Sequence, residues 1–275
     1  MEEIRKIGVL YGGSSSEREI SLLSGEGVHN AICELGYESH LIDFKELNDL
    51  KELKDYDFIF IALHGFEGEG GKLQKDLDDL NILYSGSKSE ACRNTWNKKL
   101  TKEILEINNI STPIWHEVLF NRNVVQNGLQ NSSFDKFRPF EHLFLKPEED
   151  GSSVDIFKIS NDKSLEEAYL KCTNHERGFL FEECIDGKEF TVTIIGKKCF
   201  PPIEIITKNE FYDYDAKYIS NETRHIEAEL SSNELSDIQC LSLNAFEALD
   251  CNGWARVDLL QDKNSKFYVI EVNTV

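Results

Sequence analysis

Apolar and polar positions alternate along this chain in ways that predict its elements. Ile7-Gly8-Val9-Leu10-Tyr11, Ser39-His40-Leu41-Ile42-Asp43 and Phe58-Ile59-Phe60-Ile61-Ala62-Leu63 are short runs that predict strands, the last one buried on both faces. Between the first two, Ile20, Leu23, Val28, Ala31, Ile32 and Leu35 supply the stripe of a helix over Glu17–Leu35, with Gly36 as its stop. Strand, helix, strand, helix-like segment, strand in this order predicts an open parallel sheet with helices packed on it. Ligands on such sheets sit at the carboxyl ends of strands, where the loops 12–17 and 64–71 fall.

The remainder loses that regular alternation. Residues 88–110 predict helix, ended by Asn108-Asn109-Ile110-Ser111-Thr112-Pro113, and 121–138 predict a polar loop. Leu143–Lys146, Phe179–Glu182 and Phe190–Ile195 predict strands, with Asp186-Gly187 as a turn signal between the last two. Residues 232–250 return to helix. Near the end, Trp254–Leu260 and Phe267–Asn273 flank the turn-like Asp262-Lys263-Asn264-Ser265, which predicts a hairpin. Side chains two apart on a strand share a face, so Arg256 projects with Asp258, and Glu271 with Asn273. Pairing the strands would set three oxygen ligands beside one guanidinium. Such ligands suit Mg²⁺, which is commonly held by one or two carboxylates plus substrate phosphates. The alternative is an ordinary hairpin with its charged side in water.

Composition narrows the function classes. The 275 residues are enough for two or three domains, and 40% hydrophobic with 29% charged content is ordinary for a soluble globular protein. A net charge of −20, from 30 basic and 50 acidic residues, argues against a broad nucleic-acid or anionic-membrane surface. A polyanionic substrate would then have to be met by a local basic pocket or a metal. The first residues show no apolar signal core, and no long apolar run predicts a membrane span. The 7 cysteines form no C-x-x-C pair and predict reduced thiols in a cytoplasmic protein.

Several segments could carry chemistry. Gly12-Gly13-Ser14-Ser15-Ser16 opens a helix, so its amides could hold an anion. Glu17 could grip an ammonium group, or simply be an acid favoured at a helix start. Lys146-Pro147 before Gly151-Ser152-Ser153 could close over a triphosphate, or be a plain turn. Glu182-Glu183-Cys184-Ile185 and Glu189 suit ribose hydroxyls and an adenine amino group, or are solvated turn acids. Phe211–Tyr218 sets four aromatic residues around Lys217, a loop that covers a site or folds onto the core.

Taken together these residues resemble the D-alanine–D-alanine ligases of the ATP-grasp superfamily, over nearly the whole chain. The resemblance rests on Gly12–Leu22, Ala62-Leu63-His64-Gly65 with Gly68-Glu69, Lys146-Pro147, Gly151–Val154, Glu189–Val192, Tyr212–Tyr218, Arg256-Val257-Asp258 and Glu271–Thr274, in that order. It implies an α/β chain: an N-terminal open parallel-sheet (pre-ATP-grasp) domain, residues 1–86, followed by a two-part ATP-grasp fold, residues 87–180 and 181–275. The activity implied is ligation of two D-alanines through an acyl phosphate, with ATP and Mg²⁺ (or Mn²⁺), two ions, for peptidoglycan synthesis in the cytoplasm. Partners would be small molecules, with neither nucleic acid nor membrane, and a homodimer is a family expectation.

By the same resemblance, Glu17 and His64 would meet the first D-alanine. Lys98, Lys146 and Lys217 would contact phosphates, joined by the Ser152-Ser153 loop. Glu17, Ser152 and Tyr218 would latch the loops, and Arg256 would stabilise the charged intermediate. Glu182, Cys184, Ile185 and Glu189 would line the adenosine pocket, and Asp258, Glu271 and Asn273 would bind metal. The chain departs from the family at Trp96-Asn97, where Met-Asp is usual, and at Gly70, where an acid is usual. The family continues beyond the position of Val275, so a fragment of a longer enzyme is the expectation. The rival readings are a ligase with another acceptor, such as D-serine, and a non-catalytic nucleotide-binding relative.

Overall fold

The computed structural model describes residues 4–129, 132–137, 140–151, 153–207 and 223–274. The chain begins with strand β1 (Lys6–Tyr11), helix α1 (Arg18–Glu34), β2 (Glu38–Asp43) and β3 (Phe58–Ile61). Their order is β2-β1-β3, all parallel, as the strand–helix–strand pattern predicts. Val9, Leu10, Ile59 and Ile61 are buried, so both faces of β1 are covered. The third strand stops two residues earlier than its apolar run, and Ala62 and Leu63 stay buried as the chain turns into the loop at His64. Helices α2 (Phe66–Glu69) and α3 (Lys72–Asp79) follow.

Residues 88–110 do not form one helix. Helix α4 (Ser89–Trp96) ends at Asn97, and α5 (Lys98–Ile107) begins directly after it. Asn97 is extended (φ −89°, ψ 107°), and its Oδ1 accepts the Leu100 amide at 3.0 Å, capping the new helix. A helix average conceals this break because asparagine is poor inside a helix and favoured at its start. On α5, Leu105 packs, with Ile104 and Ile110, into the core formed by the helix over Ser232–Ala248 and the terminal hairpin.

The middle of the chain supplies β4 (Trp115–Val118), α6 (Arg122–Asn127), β5 (Leu143–Pro147), β6 (Phe157–Ile159), α7 (Asp162–Lys171) and β7 (Phe179–Glu183). These strands form an antiparallel sheet in the order β4-β7-β5-β6. The loop expected over 121–138 contains α6 and a 3₁₀ turn over Ser132–Phe137. Asn121 caps α6 by accepting the Asn123 and Val124 amides, and Phe120, Val125 and Phe137 are buried in this unit's core. Six residues are too few for a periodic stripe to show.

The last sheet contains β8 (Gly187–Ile195), β9 (Lys198–Cys199), β10 (Ile203–Ile206), β11 (Arg224–Glu227), β12 (Trp254–Asp262) and β13 (Phe267–Asn273). Its order is β11-β10-β8-β12-β13, with β9 beside β8, and α8 (Ser232–Ala248) packs on it. The Asp186-Gly187 pair is not a hairpin turn. β7 lies between β4 and β5, whereas β8 lies between β10 and β12, so the pair sits where the chain passes from one sheet to the other. Glycine is needed there for another reason: a Cβ on Gly187 would stand 1.8 Å from the Gln261 carbonyl oxygen.

The parallel-sheet unit is tied to the last sheet. Ser87 Oγ accepts the Asn252 amide at 2.9 Å and donates to its carbonyl at 3.1 Å. Phe60 stacks on Trp254 with centroids 5.4 Å apart. The expected boundary at 180/181 falls inside β7, which pairs wholly with the second sheet.

Candidate active site

The three sheets converge on one cavity of about 1090 Å³. The parallel-sheet unit contributes Glu17, Ser24, His64 and Glu69 from the carboxyl ends of β1 and β3 and from α1. Helices α4 and α5 contribute Trp96, Lys98 and Thr101. The second sheet and its loop contribute Phe144, Lys146, Gly151, Ser153 and Lys158, the link between the two antiparallel sheets contributes Cys184, Ile185 and Asp186, and the last sheet contributes 187–189, Thr191, Arg256, Asp258 and Glu271. Although the chain is strongly acidic, Lys98, Lys146, Lys158, Lys188 and Arg256 all line this space.

The terminal hairpin builds the acidic end. Arg256 lies opposite Asn273, and Asp258 opposite Glu271, so pairing brings the four side chains together as their alternation predicts. The register then slips: Asp258 pairs with Glu271 but Leu259 pairs with Val269, which leaves Ile270 as an extra residue in β13. Such a bulge re-aims side chains, and here neighbouring Ile270 and Glu271 both line the cavity. Arg256 donates from Nε and Nη2 to the two oxygens of Asp258, at 3.0 Å each. Thr191 Oγ1 donates to Asp258 Oδ1 at 2.6 Å. Burial pushes the Asp258 carboxyl up, Glu271 adds to this, and Arg256 and Thr191 oppose it.

Two adjoining carboxylates with one guanidinium carry net negative charge, which a divalent cation would offset. Among the described residues no group of three or more His, Cys, Asp or Glu side chains is placed to hold a metal. The set here is two carboxylates and an amide, a fit for Mg²⁺ that also takes phosphate oxygens. Asn273 Nδ2 donates to Asp258 Oδ2 at 3.1 Å and to Glu271 Oε1 at 3.5 Å. A cation would take the amide oxygen instead, which a half-turn of the amide supplies.

At the opposite wall, Glu17 precedes α1, and its carboxylate lies close to two glycines on different units. A Cβ on Gly65 would stand 3.0 Å from Glu17 Oε2, and one on Gly151 3.3 Å from it. Gly65 also has φ +75°, a conformation few other residues adopt. His64 Nε2 is 3.0 Å from Ser24 Oγ, and burial lowers the imidazole pKa. Glu69 Oε1 accepts the Gly65 amide at 2.9 Å, yet burial, helped by the charges of Glu17 and Glu271, raises its pKa to about 7. In the Gly12–Ser16 loop, which could have held an anion, three amides already have acceptors: Gly12 donates to Ser21 Oγ, Gly13 to Asp43 Oδ1 and Ser14 to Glu67 Oε2.

The loop after β5 is pinned from both sides. Lys98 Nζ donates to the Asp150 carbonyl at 2.7 Å, and Arg177 pairs with Asp150 and Asp155. Lys146, Ser153, Cys184, Ile185 and Glu189 line the cavity as the sequence suggests. Burial pushes the Cys184 thiol up. Glu182 does not meet its expectation. Its side chain is buried outside the cavity lining, with Oε2 2.6 Å from Lys102 Nζ and Oε1 2.6 Å from Lys146 Nζ. On β7 the core is met by Phe179 and Phe181, so Glu182 lies on the opposite face, beside Phe144 and Lys146, where its two oxygens hold two lysines. Ser152, Lys217 and Tyr218 lie outside the described residues.

Sequence reasoning missed the apolar part of the lining, formed by Phe144, Ile156, Leu260 and Ile270 beside Ile185. Leu260 could have been found, since it continues the Arg256, Asp258 face. Ile270 could not, because its placement depends on the bulge. Lys188, which donates to Glu204 at 3.1 Å within the cavity, was also missed.

A family model described as D-ala D-ala ligase C-terminus matches residues 130–275. A D-alanine–D-alanine ligase of Pseudoalteromonas translucida (strain TAC 125) is 37% identical over 273 residues, 98% of this chain and 87% of that protein. The crystal structure of a D-alanine–D-alanine ligase from Bacillus anthracis complexed with ATP is similar with a TM-score of 0.82 and 30% identity, covering 98% of this chain and 86% of that one. VanG D-Ala:D-Ser ligase from Enterococcus faecalis gives a TM-score of 0.81 at 23% identity, over 99% and 90% of the two chains, a likeness of fold alone.

Proposed function

The chain belongs to the D-alanine–D-alanine ligase family, and on that premise we propose that it joins two D-alanines for peptidoglycan precursor synthesis, converting ATP to ADP and phosphate. The first D-alanine's carboxylate oxygen attacks the γ-phosphorus of ATP, and ADP leaves. The amine of the second attacks the acyl carbon, loses a proton, and phosphate departs from the tetrahedral intermediate. Carboxylate oxygen is a poor leaving group, and phosphorylation makes it a good one. The protein contributes position, charge neutralisation and exclusion of water.

In this reading the parallel-sheet unit is the pre-ATP-grasp domain, and the two antiparallel sheets are the halves that clasp ATP. Glu17 would hold the first D-alanine's ammonium with His64 beside it. Lys98, Lys146 and the loop at Ser153 would meet phosphates. Cys184 and Ile185 would offer backbone atoms to adenine, with Glu189 at the ribose. Ser152, Lys217 and Tyr218 keep the latch and phosphate roles that the family assigns. Arg256 would stabilise the oxyanion of the intermediate. Asp258, Glu271 and Asn273 would hold Mg²⁺ or Mn²⁺, as two ions, which neutralises charge on the phosphates when bound. The cytoplasm, where ATP is present, fits this reading, and among the described residues no helix is long and apolar enough to cross a membrane.

The observation that carries this reading is the facing of Arg256–Asp258 and Glu271–Asn273 across one hairpin, in a cavity that Glu17 and Lys146 also line. The test is ADP release from the full-length enzyme as a function of D-alanine and Mg²⁺. Release that does not depend on D-alanine would overturn it. D-Serine tested alongside as acceptor would separate the two acceptor chemistries, since pockets discriminate small side chains only modestly.

A further inference from the structure

The geometry points to Lys102 as a positioning residue that sets the charge Lys146 presents to the nucleotide; this rests on the phosphate-binding role proposed for Lys146. Lys102 lies one turn after Lys98 on α5, so the two share a helix face. Its side chain is 1% exposed, and it does not line the cavity. Its ammonium donates to Glu182 Oε2 at 2.6 Å and to Thr112 Oγ1 at 2.8 Å. The second oxygen of Glu182 takes the ammonium of Lys146 at 2.6 Å, and Lys146 does line the cavity.

Charge counting gives this arrangement its meaning. Lys146 with Glu182 alone would be a neutral pair, a weak lure for a polyphosphate. Lys102 adds a third charge from behind and leaves the cluster one positive charge in surplus. Only Lys146 has access to the cavity, so the surplus is expressed there. Burial lowers the Lys102 ammonium pKa, and Glu182 opposes this; burial raises the Glu182 carboxyl, but the two lysines outweigh it and hold it low. A buried charge cluster of this kind adds little or nothing net to stability compared with apolar packing. Its effect belongs at the cavity. It also couples the helix that carries Lys98 to the strand that carries Lys146.

The test is calorimetric titration of the full chain with Mg²⁺·ADP. Lys102→Met should weaken binding by about tenfold or more, because the remaining Lys146–Glu182 pair is neutral. Lys102→Met combined with Glu182→Gln restores the single positive charge, and binding should return to within about threefold of wild type. A residue serving only as packing would not be rescued by a second lesion beside it. In turnover, Lys102→Met should raise KM for ATP and leave KM for D-alanine unchanged. Wild-type affinity in Lys102→Met, or a double variant as weak as the single one, overturns the proposal. Should Lys102→Met alone fail to fold, the double variant still decides: binding about tenfold weaker than wild type overturns it. Lys146→Met with unchanged affinity would overturn the Lys146 assignment and this proposal with it. No binding by wild type would instead sink the nucleotide reading itself.

Discussion

Arg256 clasps both carboxylate oxygens of Asp258, two positions along the same strand, while its guanidinium stays 49% exposed toward the cavity. The pairing fixes the guanidinium's orientation beside the cavity, where charge develops on a substrate in the proposed reaction. Arg256→Ala should lower kcat by roughly 100- to 1000-fold, the scale for losing one oxyanion donor. Affinity for Mg²⁺·ADP should change little. Equal losses in both, measured by steady-state kinetics and calorimetry, would contradict the assignment.

Asp258 is a carboxylate held where its charge is unwelcome. Burial and then Glu271 disfavour ionisation, with Arg256 and Thr191 only partly offsetting them. Asp258→Asn should therefore leave the metal-free protein no less stable at neutral pH, while raising the Mg²⁺ needed for half-maximal turnover by about 10- to 100-fold. Thermal melts in chelator and an Mg²⁺ titration of activity check the two halves.

Glu69 supplies a pH signature. Its carboxyl is raised from 4.5 to about 7, chiefly by burial. The folded state therefore holds a proton that the unfolded chain releases earlier. Stability should fall as pH rises from about 4.5 to about 7, and level off above. The residue keeps some exposure to solvent, so the expected loss is roughly 1–2 kcal/mol, less than the full shift would give. Urea midpoints at either end of that window measure it. Glu69→Gln should flatten the difference, and an unchanged slope would count against the burial argument.

Asn97 closes α4 and caps α5, so its loss loosens the start of the helix bearing Lys98 and Lys102. Asn97→Ala should cost about 0.5–2 kcal/mol of stability, and Asn97→Asp, which keeps the acceptor, only a fraction of that. Denaturant unfolding of the two variants decides it.

Much of this was legible in the sequence. The parallel strands, α1, α8 and the hairpin follow from periodicity, and the face shared by Arg256 and Asp258 follows from alternation alone. What stayed hidden depends on partners distant in the chain. Ile270 reaches the cavity because β13 has one residue more than β12 at that point, a count invisible without the pairing. Glu182 looked like a ligand contact because it stands at the end of a predicted strand, where ligand-facing acids often fall. Its actual neighbours, Lys102 and Lys146, come from α5 and β5. Gly187 looked like a turn because glycine usually marks one, whereas here it makes room for the backbone of β12.

The packing of α5 also has a consequence for biosynthesis. Leu105 is buried with Val257, Val269 and Val272, which leave the ribosome long after it does. The parallel-sheet unit and the sheet of β4-β7-β5-β6 draw their cores mainly from nearby stretches of chain and can collapse during translation. Leu105 and Ile110 must wait, exposed, until the final hairpin emerges. Interrupted synthesis would therefore leave two folded bodies joined by a sticky helix, a substrate for chaperones rather than a partial enzyme.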